Sequence, residues 1–264
     1  MEDVKTAVIG GSGVYKQSFI KDEREINVDT KFGPVTVKQG IYNGGIVYFM
    51  ARHGGGHTVP PHLVNYRANI AALKKLGVDA VLSTAAVGTL RHDMPPGSIV
   101  IIDQFIDFTK QRALTFYEGE EGFVVHIDFS EPYCPEIRSA MLKAGTKVGQ
   151  QLIDGGCYIC SEGPRLETPA EIGMFKNWGA DVVGMTNVPE VILAREAGLC
   201  YATIALPTNY AAGITAEPVR HEEVLETMEN NRPELERLLA ACIDEIKPGH
   251  YCKCKDAGKY WPKE

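Results

Sequence analysis

The 264-residue chain predicts an α/β fold: a single domain with a central, largely parallel mixed β-sheet flanked by helices. Three features carry this expectation. Short β-rich runs alternate with stretches whose apolar residues recur at helical spacing. Most helical stretches have proline in the first turn, where its missing N–H has no helical partner to lose. Several of the β-rich runs end in glycine and small polar residues, the composition of tight strand-to-helix turns.

Taken in order, Lys5–Ile9 is the first strand, closed by the turn G10-G-S-G13. Further strands are expected at Ile46–Met50, Ala80–Leu82, Ser98–Ile102, Tyr158–Cys160, Asp181–Val183 and Cys200–Leu206. Helical spacing covers Pro61–Leu76, Pro135–Leu152, Pro169–Trp178 and Pro189–Ala197. A last helix starts near Pro218 and runs towards Ile246, interrupted or restarted at Pro233 because an internal proline removes a backbone hydrogen bond. No linker, repeat or low-complexity tract divides the chain. Residues 1–264 are therefore expected to be one domain, with a C-x-C tail at 248–264.

Composition narrows the function. The apolar content of 44% and charged content of 23% are those of an ordinary soluble protein. A net charge of −7 argues against a nucleic-acid partner, which calls for a basic surface. No apolar run approaches the roughly 18 residues of a membrane span. The start M-E-D-V-K lacks the layout of a secretory signal, so a cytoplasmic location is expected. Seven cysteines are too sparse and unevenly spaced for a disulfide framework. C252-K-C254 offers two thiols, and with His250 still falls short of the four ligands of a zinc site, so no metal is expected.

Ligand chemistry concentrates in five stretches: G10-G-S-G13, R52-H-G-G-G-H57, S83-T-A-A-V-G-T89, E162-G-P-R-L-E-T168 and G184-M-T-N-V-P-E190. In open α/β sheets ligands sit outside the carboxyl ends of strands, so these loops are placed to converge on one pocket. Glycines without Cβ atoms let backbone come close to a guest, and arginine supplies a rigid fork of donors for phosphate or carboxylate. A small anion is the expected guest. G10-G-S-G13 lacks the full G-x-G-x-x-G of a dinucleotide loop, and no Walker A lysine follows it.

In this order the stretches resemble the trimeric purine nucleoside phosphorylases, including the methylthioadenosine phosphorylases. The likeness runs from A7-V-I-G-G-S-G13 to H221-E-E-V224 and includes V64-N-Y-R-A-N-I-A-A-L-K74, I102-D-Q-F-I-D107 and N187-V-P-E-V-I-L-A-R-E196. It implies phosphorolysis of a purine nucleoside to free base and ribose 1-phosphate, or its 5-methylthio analogue. It also implies no metal or organic cofactor, phosphate being a co-substrate. By position in the family motifs, Ser12, Arg52 and His53 resemble phosphate ligands, joined by the backbone around Ala85–Ala86 and the Thr186 hydroxyl. Methylthioadenosine phosphorylases often carry a hydroxyl residue where Ala85 stands, which leaves the main chain or Thr84 to make that contact. His57 matches a family position in a supporting role. Met185 resembles the residue packed under the ribose.

Base preference is implied by the same matching. Glu167 stands where members specific for 6-oxopurines carry a glutamate, whose carboxylate accepts N1–H and the 2-amino group of guanine. Asn209 matches their asparagine, whose amide donates to O6 and N7, so Glu167 and Asn209 are the catalytic pair. Adenine-specific members have serine at the first position and a D-Y-D pattern where this chain has Asn209 and Ala211. His221 matches the histidine directed at the ribose 5′-hydroxyl, which favours inosine and guanosine while tolerating methylthioinosine. A 5′-methylthioadenosine phosphorylase is the alternative. Leu166 replaces the phenylalanine common under the base. His126 resembles a residue that reaches a neighbouring subunit's sugar pocket, which implies a homotrimer or dimer of trimers. Archaeal members with a C-x-C tail imply a strained disulfide there, and Cys134 and Cys200 match positions paired in some of them.

Overall fold

A computed structural model describes residues 4–14, 17–56, 58–119, 122, 124–247 and 252–261. Eleven strands form one mixed sheet in the order β2-β3-β4-β1-β5-β10-β9-β7, with β11, β6 and β8 branching from β5. These are β1 (Thr6–Gly10), β2 (Lys21–Thr30), β3 (Gly33–Tyr42), β4 (Gly45–Ala51), β5 (Ala80–Thr89), β6 (Val100–Ile101), β7 (Gln104–Phe108), β8 (Ile153–Asp154), β9 (Cys157–Ser161), β10 (Val182–Gly184) and β11 (Cys200–Tyr210). The helices are α1 (Tyr66–Lys75), α2 (Pro135–Val148), α3 (Pro169–Asn177), α4 (Asn187–Glu196), α5 (His221–Glu245) and α6 (Cys254–Ala257). No helix among the described residues is long and apolar enough to cross a membrane.

Alternation along β1 shows how the layers form. Ala7 and Ile9 point into one core with Ile70 and Leu73 of α1 and Val191 and Leu193 of α4. Val8 points into the other, with Ile137 and Met141 of α2 and Met228, Leu235 and Leu238 of α5. Both faces of the central strands are thus covered, as parallel sheets require. A smaller cluster of Leu90, Ile159, Ile172 and Phe175 seats α3.

The central strand is β5. Its first half pairs in parallel with β1, from Thr6↔Ala80 to Ile9↔Ser83. Its last residues pair antiparallel with β10, and its whole length runs parallel to β11. The pairing with β11 slips between Pro207 and Asn209, a bulge that re-aims the end of β11.

Several expectations are corrected. S83-T-A-A-V-G-T89 is not a loop but the second half of β5, because its pairing with β11 continues to Thr89. The hairpin β2–β3 was not expected: K21-D-E-R-E-I-N-V-D-T30 is exposed on one face at the sheet edge and carries no apolar run. In place of a continuous helix from Pro61, a 3-10 turn at Pro61–Leu63 breaks at extended Val64, and α1 restarts where the Asn65 side chain accepts the Ala68 N–H. α2 ends at Val148 because Gly149 takes the left-handed conformation (φ 69°). α5 begins at His221, not near Pro218, and passes through Pro233 unbroken; Pro233 is exposed, so water can satisfy the carbonyl it leaves unpaired.

Candidate active site

The ends of β1, β4, β9, β10 and β11 and the middle of β5 surround a cavity of about 380 Å3, a volume typical of small-molecule sites. Ser12, Arg52, His53, Ala85, Ala86, Leu166, Glu167, Met185, Thr186, Asn209 and Ala211 all line it. Eleven residues from six distant stretches of sequence therefore meet in one place.

The anion end is built around Arg52, and its state differs from the free fork that was expected. Nε and Nη2 donate to the Glu190 carboxylate at 2.6 and 2.7 Å, Nη2 also to Ser83 Oγ at 2.7 Å, and Nη1 to the Thr84 carbonyl at 2.9 Å. One Nη1 proton is left uncommitted among the described residues. Arg52 and Glu190 side chains are 1% and 0% exposed, and Glu190 also accepts from Ser83 and Tyr201. Burial pulls the Arg52 pKa down, and the adjacent Glu190 more than reverses this, so the pair is charged and close to neutral overall. Glu190, Ser83 and Tyr201 escaped sequence reading as partners of Arg52, although Ser83 and Glu190 lie in two of the five stretches.

Around this pair the backbone comes close. Gly11 donates its N–H to Thr84 Oγ1 at 3.0 Å, and a Cβ on Gly11 would stand 2.6 Å from the Thr84 carbonyl oxygen. The Thr84 hydroxyl is committed there and does not line the cavity, so of the two expected contacts the Ala85–Ala86 main chain is the one available. Thr186 occupies the N-cap position of α4, yet its hydroxyl makes no capping bond. Thr186 faces the cavity with its hydroxyl and its N–H against the Tyr158 hydroxyl, the N–H at 3.3 Å, and the helix proper starts only after Val188, whose backbone is extended (φ −105°, ψ 129°). His53 Nδ1 lies 2.8 Å from the Val59 carbonyl; a carbonyl only accepts, so Nδ1 carries the proton.

At the other end, Ser161 donates to Glu167 Oε1 at 2.5 Å. Burial pushes the Glu167 carboxyl up from its ordinary pKa, and the Ser161 bond only partly offsets this. Glu167 does not cap the helix that follows. Thr168 and Glu171 form a complete capping box on α3, which leaves the Glu167 carboxylate to the cavity. Beyond the β11 bulge, Asn209 Oδ1 accepts the Thr208 hydroxyl at 3.0 Å and Nδ2 donates to the Tyr210 carbonyl at 2.9 Å. This fixes the amide's orientation with one Nδ2 proton to spare. Acceptor and donor thus face the same cavity from α3's approach loop and from β11.

Arg112 had no sequence signal and holds two of these loops. Its guanidinium donates to the carbonyls of Met185 (2.8 Å), Val188 (2.6 Å), Ser161 (3.3 Å) and Glu162 (2.7 Å). It therefore ties the segment carrying Thr186 to the segment leading to Glu167. Thr58, Val59, Pro164, Val219 and Val224 also line the cavity and were not expected; their types are too common to stand out.

One expected residue lies elsewhere. His126 lines a separate depression with Arg195, Lys253 and Tyr260 and is not brought to the cavity within one chain. The backbone of His221 opens α5, while its side chain lies outside the described residues, as does the whole of His57.

Residues 5–244 match the phosphorylase superfamily. A probable 6-oxopurine nucleoside phosphorylase of Dictyoglomus turgidum is 54% identical over 256 residues, 97% of each chain. The 6-oxopurine nucleoside phosphorylase of Pyrococcus furiosus is 48% identical over 260 residues, covering 97% of this chain and 98% of that one. Among solved structures, a methylthioadenosine phosphorylase from an antarctic soil metagenomic library superposes with a TM-score of 0.89 at 35% identity, covering 97% of this chain and 91% of that chain. The chain therefore belongs to the phosphorylase superfamily, and to the nucleoside phosphorylases within it.

Proposed function

We propose that the chain is a purine nucleoside phosphorylase that prefers 6-oxopurine nucleosides, inosine and guanosine, with 5′-methylthioinosine as a further substrate. The carrying observation is the pairing of Glu167, a carboxylate held by Ser161, with Asn209, an amide held with one proton spare. Together they offer an acceptor for N1–H and a donor for O6 or N7. Adenine presents N1 as a lone pair, which would face the Glu167 carboxylate and cost about 1–3 kcal/mol. The names of the relatives at 54% and 48% identity point the same way.

Phosphate is the co-substrate, held by Ser12, the Ala85–Ala86 main chain, Thr186, His53 and the remaining Arg52 proton. The glycosidic C1′–N9 bond breaks with its electron pair passing to the purine, to which Asn209 donates a hydrogen bond as negative charge develops. A phosphate oxygen, placed under C1′, stabilises the cationic sugar and closes the new C1′–O bond, and the proton that phosphate carried ends on the purine, which leaves as the neutral base. Such a step needs positioning and electrostatics rather than a strong base, so the reading includes no metal or organic cofactor in the chemistry.

A second reading, a 5′-methylthio substrate, is favoured by apolar Val219 and Val224 in the cavity wall beside the start of α5. A probable S-methyl-5′-thioinosine phosphorylase of Methanopyrus kandleri is 46% identical over 254 residues. The reading extends to a cytoplasmic salvage enzyme assembled as a homotrimer or a dimer of trimers, supported by the placing of His126 away from its own cavity. A panel of inosine, guanosine, methylthioinosine, adenosine and methylthioadenosine, assayed with and without phosphate, tests it. Turnover should require phosphate, and 6-oxopurines should win by about 10²–10³-fold in kcat/KM. Equal hydrolysis without phosphate, or a preference for methylthioadenosine, overturns it.

A further inference from the structure

Away from the cavity, four cysteines meet. Cys134 stands at the N-cap of α2, Cys200 opens β11, and Cys252 and Cys254 come from the C-terminal segment. Their Sγ atoms all lie within 4.8 Å of one another, with Cys200 and Cys252 at 3.3 Å, and none is in a disulfide. We propose that Cys134, Cys200, Cys252 and Cys254 form a closed tetrathiolate site for one zinc ion, which fastens the C-terminal segment to the body of the fold.

The geometry suits that ion. Zinc binds four thiolates tetrahedrally at about 2.3 Å, which sets the sulfurs about 3.8 Å apart. The C-x-C pair supplies half of such a set; the other half comes from α2 and β11, far away in sequence, so the set is invisible in the spacing. Three of the four cysteines are buried and Cys252 is half-buried, so no position is left open for water. This is the form of a structural site rather than a catalytic one.

The surroundings suit its charge. Zinc with four thiolates carries a net charge of −2, and the thiol protons leave on binding. Arg195, itself buried, places Nη1 3.2 Å from Cys254 Sγ, and its Nε has no hydrogen-bond partner among the described residues. Cys134 lies at the start of the fourteen-residue α2, whose dipole favours a thiolate there.

The C-terminal segment also needs an anchor. Of residues 252–261 only Cys254 is buried. Trp261 meets Phe116 edge-on at 4.8 Å, and Gly258 touches Gly198 so closely that a Cβ on Gly258 would stand 2.6 Å from the Gly198 Cα. Few apolar contacts hold a segment that must nevertheless dock within tenths of an ångström.

The test is metal analysis of the full-length protein, purified with a thiol reductant and then dialysed free of loose metal. The wild type should hold about one zinc per chain, and the C252S/C254S double variant less than about 0.1. The C242S variant, which removes a buried cysteine outside the cluster, should keep its zinc. Cobalt(II) titrated into the reduced, metal-stripped wild type should give the intense visible bands of a tetrahedral thiolate complex, saturating at about one equivalent. This arm does not depend on any variant folding. The proposal is overturned if reduced wild type offered zinc retains none. It is equally overturned if the protein isolated without reductant carries these cysteines as disulfides and the reduced form gives no cobalt–thiolate bands.

Discussion

Replacing Glu167 by alanine isolates base recognition from the rest of the site. The variant keeps the Asn209 amide and the anion end, and loses only the acceptor that faces the base. A hydrogen bond to a charged group contributes about 1.5–3 kcal/mol when buried. Here the neighbouring Leu166 is 50% exposed, so water can enter and replace part of the lost bond. The lower end applies, about 1.5–2 kcal/mol for the single N1–H bond of inosine, a loss of roughly 10–30-fold in kcat/KM. Guanosine offers its 2-amino group to the same carboxylate and should lose about 100-fold. Methylthioadenosine has no proton at N1 and should change by less than about threefold, or improve, since an opposing lone pair is gone. Phosphorolysis of the three nucleosides at saturating phosphate, in wild type and variant, measures the differences directly. Thermal melts serve as a control, because the carboxylate's burial costs stability and its loss should not lower Tm. An equal drop for all three nucleosides would refute the assignment, since it would mean Glu167 holds the loop rather than the base.

Titration of Glu167 gives a second outcome. Its pKa is raised, so inosine turnover relative to methylthioadenosine should fall as pH drops through the raised value and the acceptor is protonated. The same shift means the folded chain binds that proton more tightly, so ionising Glu167 costs stability as pH rises from its ordinary pKa through the raised one; E167Q should be stabilised relative to wild type above that window and not below it. Glu190→Gln should leave the buried Arg52 unbalanced and cost about 3–5 kcal/mol, a Tm loss of roughly 10 °C. The double variant R52M/E190M should recover most of that Tm while its KM for phosphate stays raised, which separates the pair's structural role from its contact with the anion. Arg112→Met should raise KM for phosphate and nucleoside together, because one guanidinium holds both loops; a change in only one of the two constants would show that the loops are positioned independently.

The sequence read the site better than it read its supports. Ser12, Glu167 and Thr186 were legible as ligand candidates because glycine and polar residues clustered at the ends of apolar runs, and those ends converge wherever strands run parallel; Asn209 lies in no such cluster and was placed by family resemblance alone. Glu190, Ser83 and Tyr201 were not legible as a unit, because a buried charge pair is made across strands and leaves no local spacing. Arg112 was equally silent: its partners are carbonyls, which every residue has. The hairpin β2–β3 escaped because an edge strand with charged residues looks like a loop when read by hydrophobicity alone. The limits of β5 and β11 were set too short because Ala and Gly in β5 and Pro and Asn in β11 have weak strand signals, and only pairing over ten residues makes them a strand.

That pairing makes β5 a measuring rod. Ala85 and Ala86 border the anion end, and Gly88 lies beside the bulge that aims Asn209 at the base. Ala86 to Gly88 is roughly 6–7 Å at a strand rise of about 3.3 Å per residue. The separation between the two ends of a substrate is therefore written into a length of strand backbone held along its whole length by β11, and not into adjustable loops. Side chains can be exchanged along this rod to change which base is read. Adding or removing one residue from it cannot be absorbed in the same way, because every position beyond the change would turn to the opposite face of the sheet.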